Sequence, residues 1–325
     1  MKWSNCWRST LSRGLSTVVL VQETHKGGFS ESSAAPRARA HTGPMPELPE
    51  VDALVHFVGS RIVGDFITRT DIGELSILKT ADPPLEAISG LEISGASRVG
   101  KALIIEFDGL DLMCRFARAG WLIWHDQVPT GPVRMGKGPL GLRVHLASGA
   151  GFDISEAGTK KNASVALVHD RIEVPAIANT GPDALSIDDD QFAALLADSS
   201  SRIKTVLEDQ QLIAGIGNAY SDEILHTAKL SPFAPADGVD AQALLEVIRG
   251  VLGAAREALN NLSPAKVKTM KKRGLRVHGR TGQTCPVCGS TIAEVSYADK
   301  SLQYCPGCQT GGKKLSDRRM DRLLK

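Results

Sequence analysis

No apolar run in this chain is long enough to cross a bilayer. A spanning helix needs about 20 consecutive apolar residues, and the stretch Thr17–Gln22 falls far short, so no membrane partner is expected. A strong charge of one sign is also missing, since 38 Lys+Arg face 36 Asp+Glu for a net charge of +2. Cysteine is sparse and unevenly placed. Cys6 and Cys114 are solitary, whereas Cys285, Cys288, Cys305 and Cys308 form two spaced pairs. That distribution excludes the bridged scaffold of a small secreted domain and points to a metal site in a reducing compartment.

What is present describes a globular protein. With 42% hydrophobic and 23% charged residues over 325 positions, the chain can bury a sizeable core and is long enough for more than one domain. Its charge is not spread evenly. Residues 1–44 carry six Lys/Arg and two Asp/Glu, leaving 32 against 34 for the rest, while residues 260–325 carry 14 Lys/Arg and four Asp/Glu. This last segment is where an electrostatic footprint for nucleic acid is expected. Residues 1–44 show no sustained period and are read as a non-native upstream extension or a disordered leader. Their basic, acid-poor composition keeps an organellar targeting peptide as the alternative.

A different texture opens at Met45. The spacing from Val51 to Val58 predicts a helix, with Pro46 and Pro49 at its start rather than in its interior. After Gly59 come short β-rich runs: Arg61–Thr68, Leu75–Lys79, Ala102–Phe107, Leu110–Phe116, Trp121–Ile123, Leu142–Leu146 and Ser164–Val168. These predict a sandwich or barrel of mostly antiparallel strands. Beyond Pro182 the period becomes helical over Asp188–Ala197, Lys204–Gln210, Ser221–Leu225 and Asp240–Asn260. The expected organisation is an α+β multidomain chain, with a β-rich domain over 45–178, a helical domain over 179–279 and a cysteine-containing domain over 280–325.

In that last domain, Cys285-x2-Cys288 and Cys305-x2-Cys308 are separated by 16 residues. Four thiolates bind one zinc ion tetrahedrally, and with every position filled none is left for metal-bound water. One structural Zn2+ is expected. Cations flank it on both sides, among them Lys271, Lys272 and Arg273 before it and Lys313, Lys314, Arg318 and Arg319 after it. Phosphate contacts explain such a finger better than a merely solvated charge run.

Two further segments carry chemistry. Ala214-Gly215-Ile216-Gly217-Asn218-Ala219-Tyr220 precedes a helix; its glycines permit close backbone approach, the following amides can receive a phosphate, and Asn218 can donate to one. Packing alone also explains such glycines. Met45-Pro46-Glu47-Leu48-Pro49-Glu50 gains meaning if the chain starts at Met45, because removal of that Met exposes the secondary amine of Pro46. A neutral amine is a nucleophile for a sugar C1′, and Glu47 beside it can move protons. Ordinary helix capping explains the same residues without chemistry. Lys101 is a second cation, suited to hold a phosphate or to end a surface strand.

Taken together, the segment from Met45 to Val51, the stretch Gln211–Leu225 and the four-cysteine finger resemble the formamidopyrimidine-DNA glycosylase and endonuclease VIII family, in the family's order and from Met45 almost to the end. The resemblance implies an N-terminal β-sandwich, a helix-two-turn-helix domain and a C-terminal zinc finger that bind damaged double-stranded DNA across their cleft. It implies Pro46 as the Schiff-base nucleophile, Glu47 as the proton-transfer carboxylate, Lys101 as a phosphate contact in the catalytic site and Asn218 as a DNA-backbone contact. Base excision followed by abasic-site strand cleavage is the expected activity, in a monomer without an obligate protein partner. The expected location is cytoplasmic, at the nucleoid in a bacterium.

Three segments depart from the family pattern. Arg115 and Arg118 stand where the family has a His and a wedge-forming Met; both are expected at DNA, but not as an uncharged wedge. Gly151–Lys161 lacks an Arg-Arg-Phe segment. Lys300 replaces a finger arginine, keeping the charge without the planar fork. A DNA-binding relative with reduced or absent glycosylase activity, or a non-catalytic zinc-dependent nucleic-acid module, fits the same motifs.

Overall fold

The computed structural model describes residues 45–158, 161–297 and 300–315. The leader read over 1–44, with Cys6, and the basic residues Arg318, Arg319, Arg322 and Lys325 lie outside the described residues.

Helix α1 runs Leu48–Ile62, with Val51, Leu54, Val58 and Ile62 on its buried side. Its first turn is closed by Glu50, whose carboxylate accepts the Glu47 backbone N–H at 2.9 Å. The helix passes through Gly59 rather than stopping there. A Cβ on Gly59 would lie 3.4 Å from Ala96, an ordinary contact, so the glycine marks no break in the helix, and the strand expected from Arg61 starts only at Ile67.

Eight strands follow: β1 Ile67–Ile72, β2 Gly95–Val99, β3 Ala102–Phe107, β4 Leu110–Arg115, β5 Gly120–His125, β6 Leu140–Leu146, β7 Gly151–Glu156 and β8 Ser164–Val168. They form two four-stranded sheets, ordered β1-β6-β7-β5 and β2-β3-β4-β8, with every pairing antiparallel. Inward-facing residues of both sheets, such as Leu103, Leu112, Val144 and Ile154, share one core with α1. The segment Leu75–Ile77 is a 3-10 turn and not the expected strand. Glu74 accepts both the backbone N–H and the hydroxyl of Ser76, at 3.4 and 3.1 Å, a local bond that competes with strand pairing.

The second core is helical. After the short α2 (Pro175–Ala178) come α3 (Asp189–Ala197), α4 (Ile203–Glu208), α5 (Asn218–Thr227), α6 (Ala241–Leu259) and α7 (Pro264–Gly274). Asp188 and Asp240 cap α3 and α6 by accepting the amides of Gln191 and Ala243. Leu48 of α1 is buried in this core, whereas Val267 of α7 and Leu259 of α6 are buried in the sandwich core. Each domain thus sends a side chain into the other where α1, α5 and α7 meet. The hairpin β9 (Ala293–Ser296) and β10 (Ser301–Tyr304) and the short α8 (Pro306–Gln309) complete the finger.

Candidate active site and zinc centre

Glu47 precedes α1 and is 1% exposed. Its carboxylate faces the start of α5, accepting the backbone N–H of Gly217 at 2.5 Å, Ala219 at 2.9 Å and Tyr220 at 3.3 Å. A helix N-terminus favours an anion in this way. The two glycines before α5 make the approach possible. A Cβ on Gly217 would fall 2.6 Å from the Glu47 carboxyl carbon and 2.8 Å from Lys101 Nζ; Gly215, at φ +104°, would place one 2.6 Å from Leu48. The glycines do permit a close approach, of Glu47 and Lys101, and the amides expected to receive a phosphate are bonded to the Glu47 carboxylate instead.

Two lysines and two carboxylates share the site. Lys271 Nζ donates to Glu50 at 2.6 Å and to the Met45 carbonyl oxygen at 2.9 Å, and lies 3.7 Å from Glu47. The Tyr220 hydroxyl donates to the other Glu50 oxygen at 2.7 Å. Burial alone would raise the Glu47 carboxyl, but the Lys271 and Lys101 ammonium groups and the Ala219 amide outweigh it and hold Glu47 below its ordinary range. Burial pushes Glu50 up in spite of Lys271. It also lowers the Lys101 ammonium, against the attraction of Glu47. Pro46 is buried beside this cluster.

The placement of Lys271 corrects its assignment to the DNA-contacting cations. It is 3% exposed and turned into the protein, because α7 lies against α1 and each successive helical residue points about 100° round the axis from the last. Lys272 and Arg273 are exposed on the same helix, as a phosphate contact requires. Arg115, the last residue of β4, and Arg118 in the following turn are also exposed.

Asn218 and Lys300 line one cavity of about 180 Å³ with Arg202, Lys204 and Tyr297. Asn218 donates to the Ser301 carbonyl at 2.8 Å, and among the described residues its side-chain oxygen is buried without a hydrogen-bond partner. Lys300 pairs with Glu208.

The four cysteine sulfurs converge: Cys285 and Cys308 lie 3.8 Å apart and Cys288 and Cys305 3.3 Å apart. Sulfurs around tetrahedral zinc, with Zn–S near 2.3 Å, are separated by about 3.8 Å, so the set fits one structural zinc ion. Hydrogen bonds from Ser290 bring the Cys288 thiol down to about 6, whereas burial raises those of Cys305 and Cys308, so the four sulfurs share charge unequally until a metal takes all four as thiolates. His226 of α5 puts Nε2 3.3 Å from Cys285 Sγ. Among the described residues its Nδ1 is buried without a hydrogen-bond partner. Burial disfavours the imidazolium, so the neutral ring can donate one N–H to sulfur.

Sequence reasoning missed Glu50, Tyr220 and His226 as parts of these sites. Glu50 had a signal, standing three residues after Glu47 at the capping-box position. Tyr220 and His226 lie on α5 two and eight residues after Asn218, but only the fold shows what they face.

A two-sheet domain, a helical domain whose glycine turn grips a buried carboxylate, and a four-cysteine finger define a DNA-repair glycosylase architecture. The model of the formamidopyrimidine-DNA glycosylase N-terminal domain matches residues 45–158, that of the H2TH domain of the same enzyme 180–265, and that of the zinc finger found in FPG and IleRS 282–311. The formamidopyrimidine-DNA glycosylase of Gloeobacter violaceus is 32% identical over 291 residues, covering 82% of this chain and 98% of that protein. An uncharacterised formamidopyrimidine-DNA glycosylase-like protein of Mycobacterium tuberculosis is 59% identical over 148 residues, 45% of this chain and 94% of that protein. The structure of Lactococcus lactis Fpg in complex with DNA containing an abasic site aligns with a TM-score of 0.70 and 26% identity, over 81% of this chain and 99% of that one. The chain belongs to the formamidopyrimidine-DNA glycosylase family.

Proposed function

We propose that this chain, processed to begin at Pro46, excises a damaged base from double-stranded DNA and then cleaves the strand at the abasic site. The Pro46 nitrogen attacks C1′, and the glycosidic bond breaks with its electron pair leaving on the base, which takes up a proton. Glu47 serves the opening of the sugar by protonating O4′ as the iminium forms at C1′. Loss of a C2′ proton then expels the 3′ phosphate, and water releases the sugar fragment from the nitrogen.

The observation that carries this reading is the environment of Glu47. A buried carboxylate sits one residue from the proposed nucleophile, gripped by α5 amides and faced by Lys101 and Lys271. A capping carboxylate on a surface helix needs none of that. The Lactococcus lactis protein bound to abasic-site DNA supports the same substrate class, and Asn218, Lys300, Arg115 and Arg118 are assigned to DNA. A cytoplasmic monomer is proposed as its working form.

The test is borohydride trapping on abasic-site DNA, beside binding measured at matched salt. The chain beginning at Pro46 is expected to form a covalent adduct, a Pro46→Gly variant much less, and a chain blocked at its amino terminus none, with DNA affinity largely retained in all three. Equal trapping by all three would eliminate the terminal amine. DNA affinity without any adduct would identify a binding relative instead.

A further inference from the structure

We infer that Lys271 keeps the Pro46 amine neutral, and so nucleophilic, by balancing the second of two buried carboxylates and leaving no counter-charge for a protonated amine. This rests on the proposed chemistry at Pro46 and assigns Lys271 as a positioning residue for it.

The geometry sets Lys271 against that nitrogen. Lys271 Nζ donates to the Met45 carbonyl oxygen at 2.9 Å, and an amide's oxygen and nitrogen lie about 2.3 Å apart. Nζ is therefore within about 5 Å of the Pro46 nitrogen by those bond lengths. Removal of Met45 takes that acceptor away. The lone pair of Pro46 can replace it, and exists only while the amine is unprotonated; a protonated amine would set two donors against each other.

Charge counting leads to the same conclusion. Glu47 and Glu50 face the site from α1 and the residue before it, Lys101 from the β2–β3 turn and Lys271 from α7. Tyr220 faces it from α5 with its hydroxyl proton given to Glu50. His278, beyond α7, is tied to Asp222 at 2.7 Å, and Glu208 on α4, which also acts on Lys101, is held by Lys204 and Lys300. Glu50 Oε2 accepts from both the Glu47 N–H and the Lys271 ammonium, at 2.9 and 2.6 Å, and that ion pair favours the carboxylate against the burial that raises it. Two anions thus meet two cations in a buried site, and a fifth charge on Pro46 would stand unpaired. Without Lys271, one carboxylate loses its partner and the protonated amine becomes its counter-ion.

The experiment compares the pH dependence of trapping rate on abasic-site DNA for four chains beginning at Pro46: unaltered, Lys271→Met, Glu50→Gln and the double variant. Lys271→Met is expected to move the acid limb to higher pH, with trapping near pH 6 falling about ten- to a hundredfold for a shift of one to two units and recovering as pH rises. Glu50→Gln should move the limb the opposite way, and the double variant should return it toward the unaltered position. A merely structural role would lower the rate at every pH without these reciprocal shifts. In parallel, NMR of 15N-proline-labelled, DNA-free protein follows the titration of the Pro46 nitrogen, the sole amine among the labelled sites. If the unaltered chain traps nothing, the lyase reading fails, while this titration still decides the charge inference. An amine titrating at the same pH with and without Lys271 overturns the inference. Should Lys271→Met fail to fold, the opposite shift in Glu50→Gln and its reversal in the double variant decide instead.

Discussion

Glu47 shows how a single side chain is prepared for proton transfer. A carboxyl with its exposure removed would ordinarily rise in pKa, and burial is the largest influence on Glu47. Lys271, Lys101 and the Ala219 amide nevertheless leave it lowered from 4.5. It therefore waits as a carboxylate at neutral pH, ready to accept the proton that it later gives to the sugar oxygen. A group whose folded pKa is depressed stabilises the fold fully above its unfolded value, and that contribution fades as pH falls through the folded value. Glu47→Gln is accordingly expected to reduce base excision on the order of a hundredfold or more, the range removed with a general acid or base. Its stability deficit in urea unfolding should be largest at neutral pH and shrink as pH falls below 4.5. A deficit independent of pH would mean that the charge of Glu47 is not what the site holds. Cys114 is a contrasting case, since burial in the sandwich core pushes its thiol up to about 12, and it takes no part in the metal site or the chemistry.

At the scale of elements, α5 organises both sites. Its first amides hold Glu47 and its Tyr220 holds Glu50. Asp222 accepts from Gln303 of the finger, Glu223 accepts the amides of Arg276, Val277 and His278, and His226 reaches Cys285. The turn before α5 sets the separation of these parts. Gly217→Ala would introduce a methyl group 2.6 Å from the Glu47 carboxyl carbon and 2.8 Å from Lys101 Nζ, forcing both to shift. A displacement near 1 Å in a catalytic group is worth about a hundredfold in rate, so trapping should fall by about that factor while DNA affinity changes little. Full trapping by Gly217→Ala would show that the Glu47–Lys101 spacing is not critical. Much of this element was legible in advance, because a glycine pair followed by Asn at a helix start has a local signature. The strands Ala102–Phe107 and Ser164–Val168 were read to the residue, since apolar, β-branched runs bounded by turns carry their own period. The continuation of α1 through Gly59, the 3-10 turn at Leu75 and the helix α7 were not legible. Gly59 is tolerated inside a helix whose buried face continues past it, Leu75–Ile77 is set by a side-chain bond, and α7 is a basic run with few apolar residues to mark a period.

For the whole molecule, the separation of charges matters more than the net value of +2. The carboxyl-terminal cations divide into two populations that composition cannot distinguish. Lys272 and Arg273 face outward on α7, whereas Lys271, beside them in sequence, is buried against α1. The zinc finger and α5 hold α7 and the Asn218 region in one frame, so outward cations are presented to a polyanion while the inward lysine serves the nucleophile. Ionic strength separates the two roles. Each phosphate neutralised by an outward cation adds about 0.9 to the slope of log affinity against log salt concentration on duplex DNA. Lys272→Gln and Arg273→Gln should each reduce that slope by about one contact's worth, while leaving the trapping rate at saturating protein nearly unchanged. Lys271→Met should do the reverse, keeping the salt slope and losing trapping at low pH. The measurement is fluorescence anisotropy with duplex DNA across a salt series, alongside single-turnover trapping of the same proteins. A lowered slope in Lys271→Met would return that residue to the DNA-contacting surface, and unchanged slopes in both outward variants would move the phosphate contacts off α7.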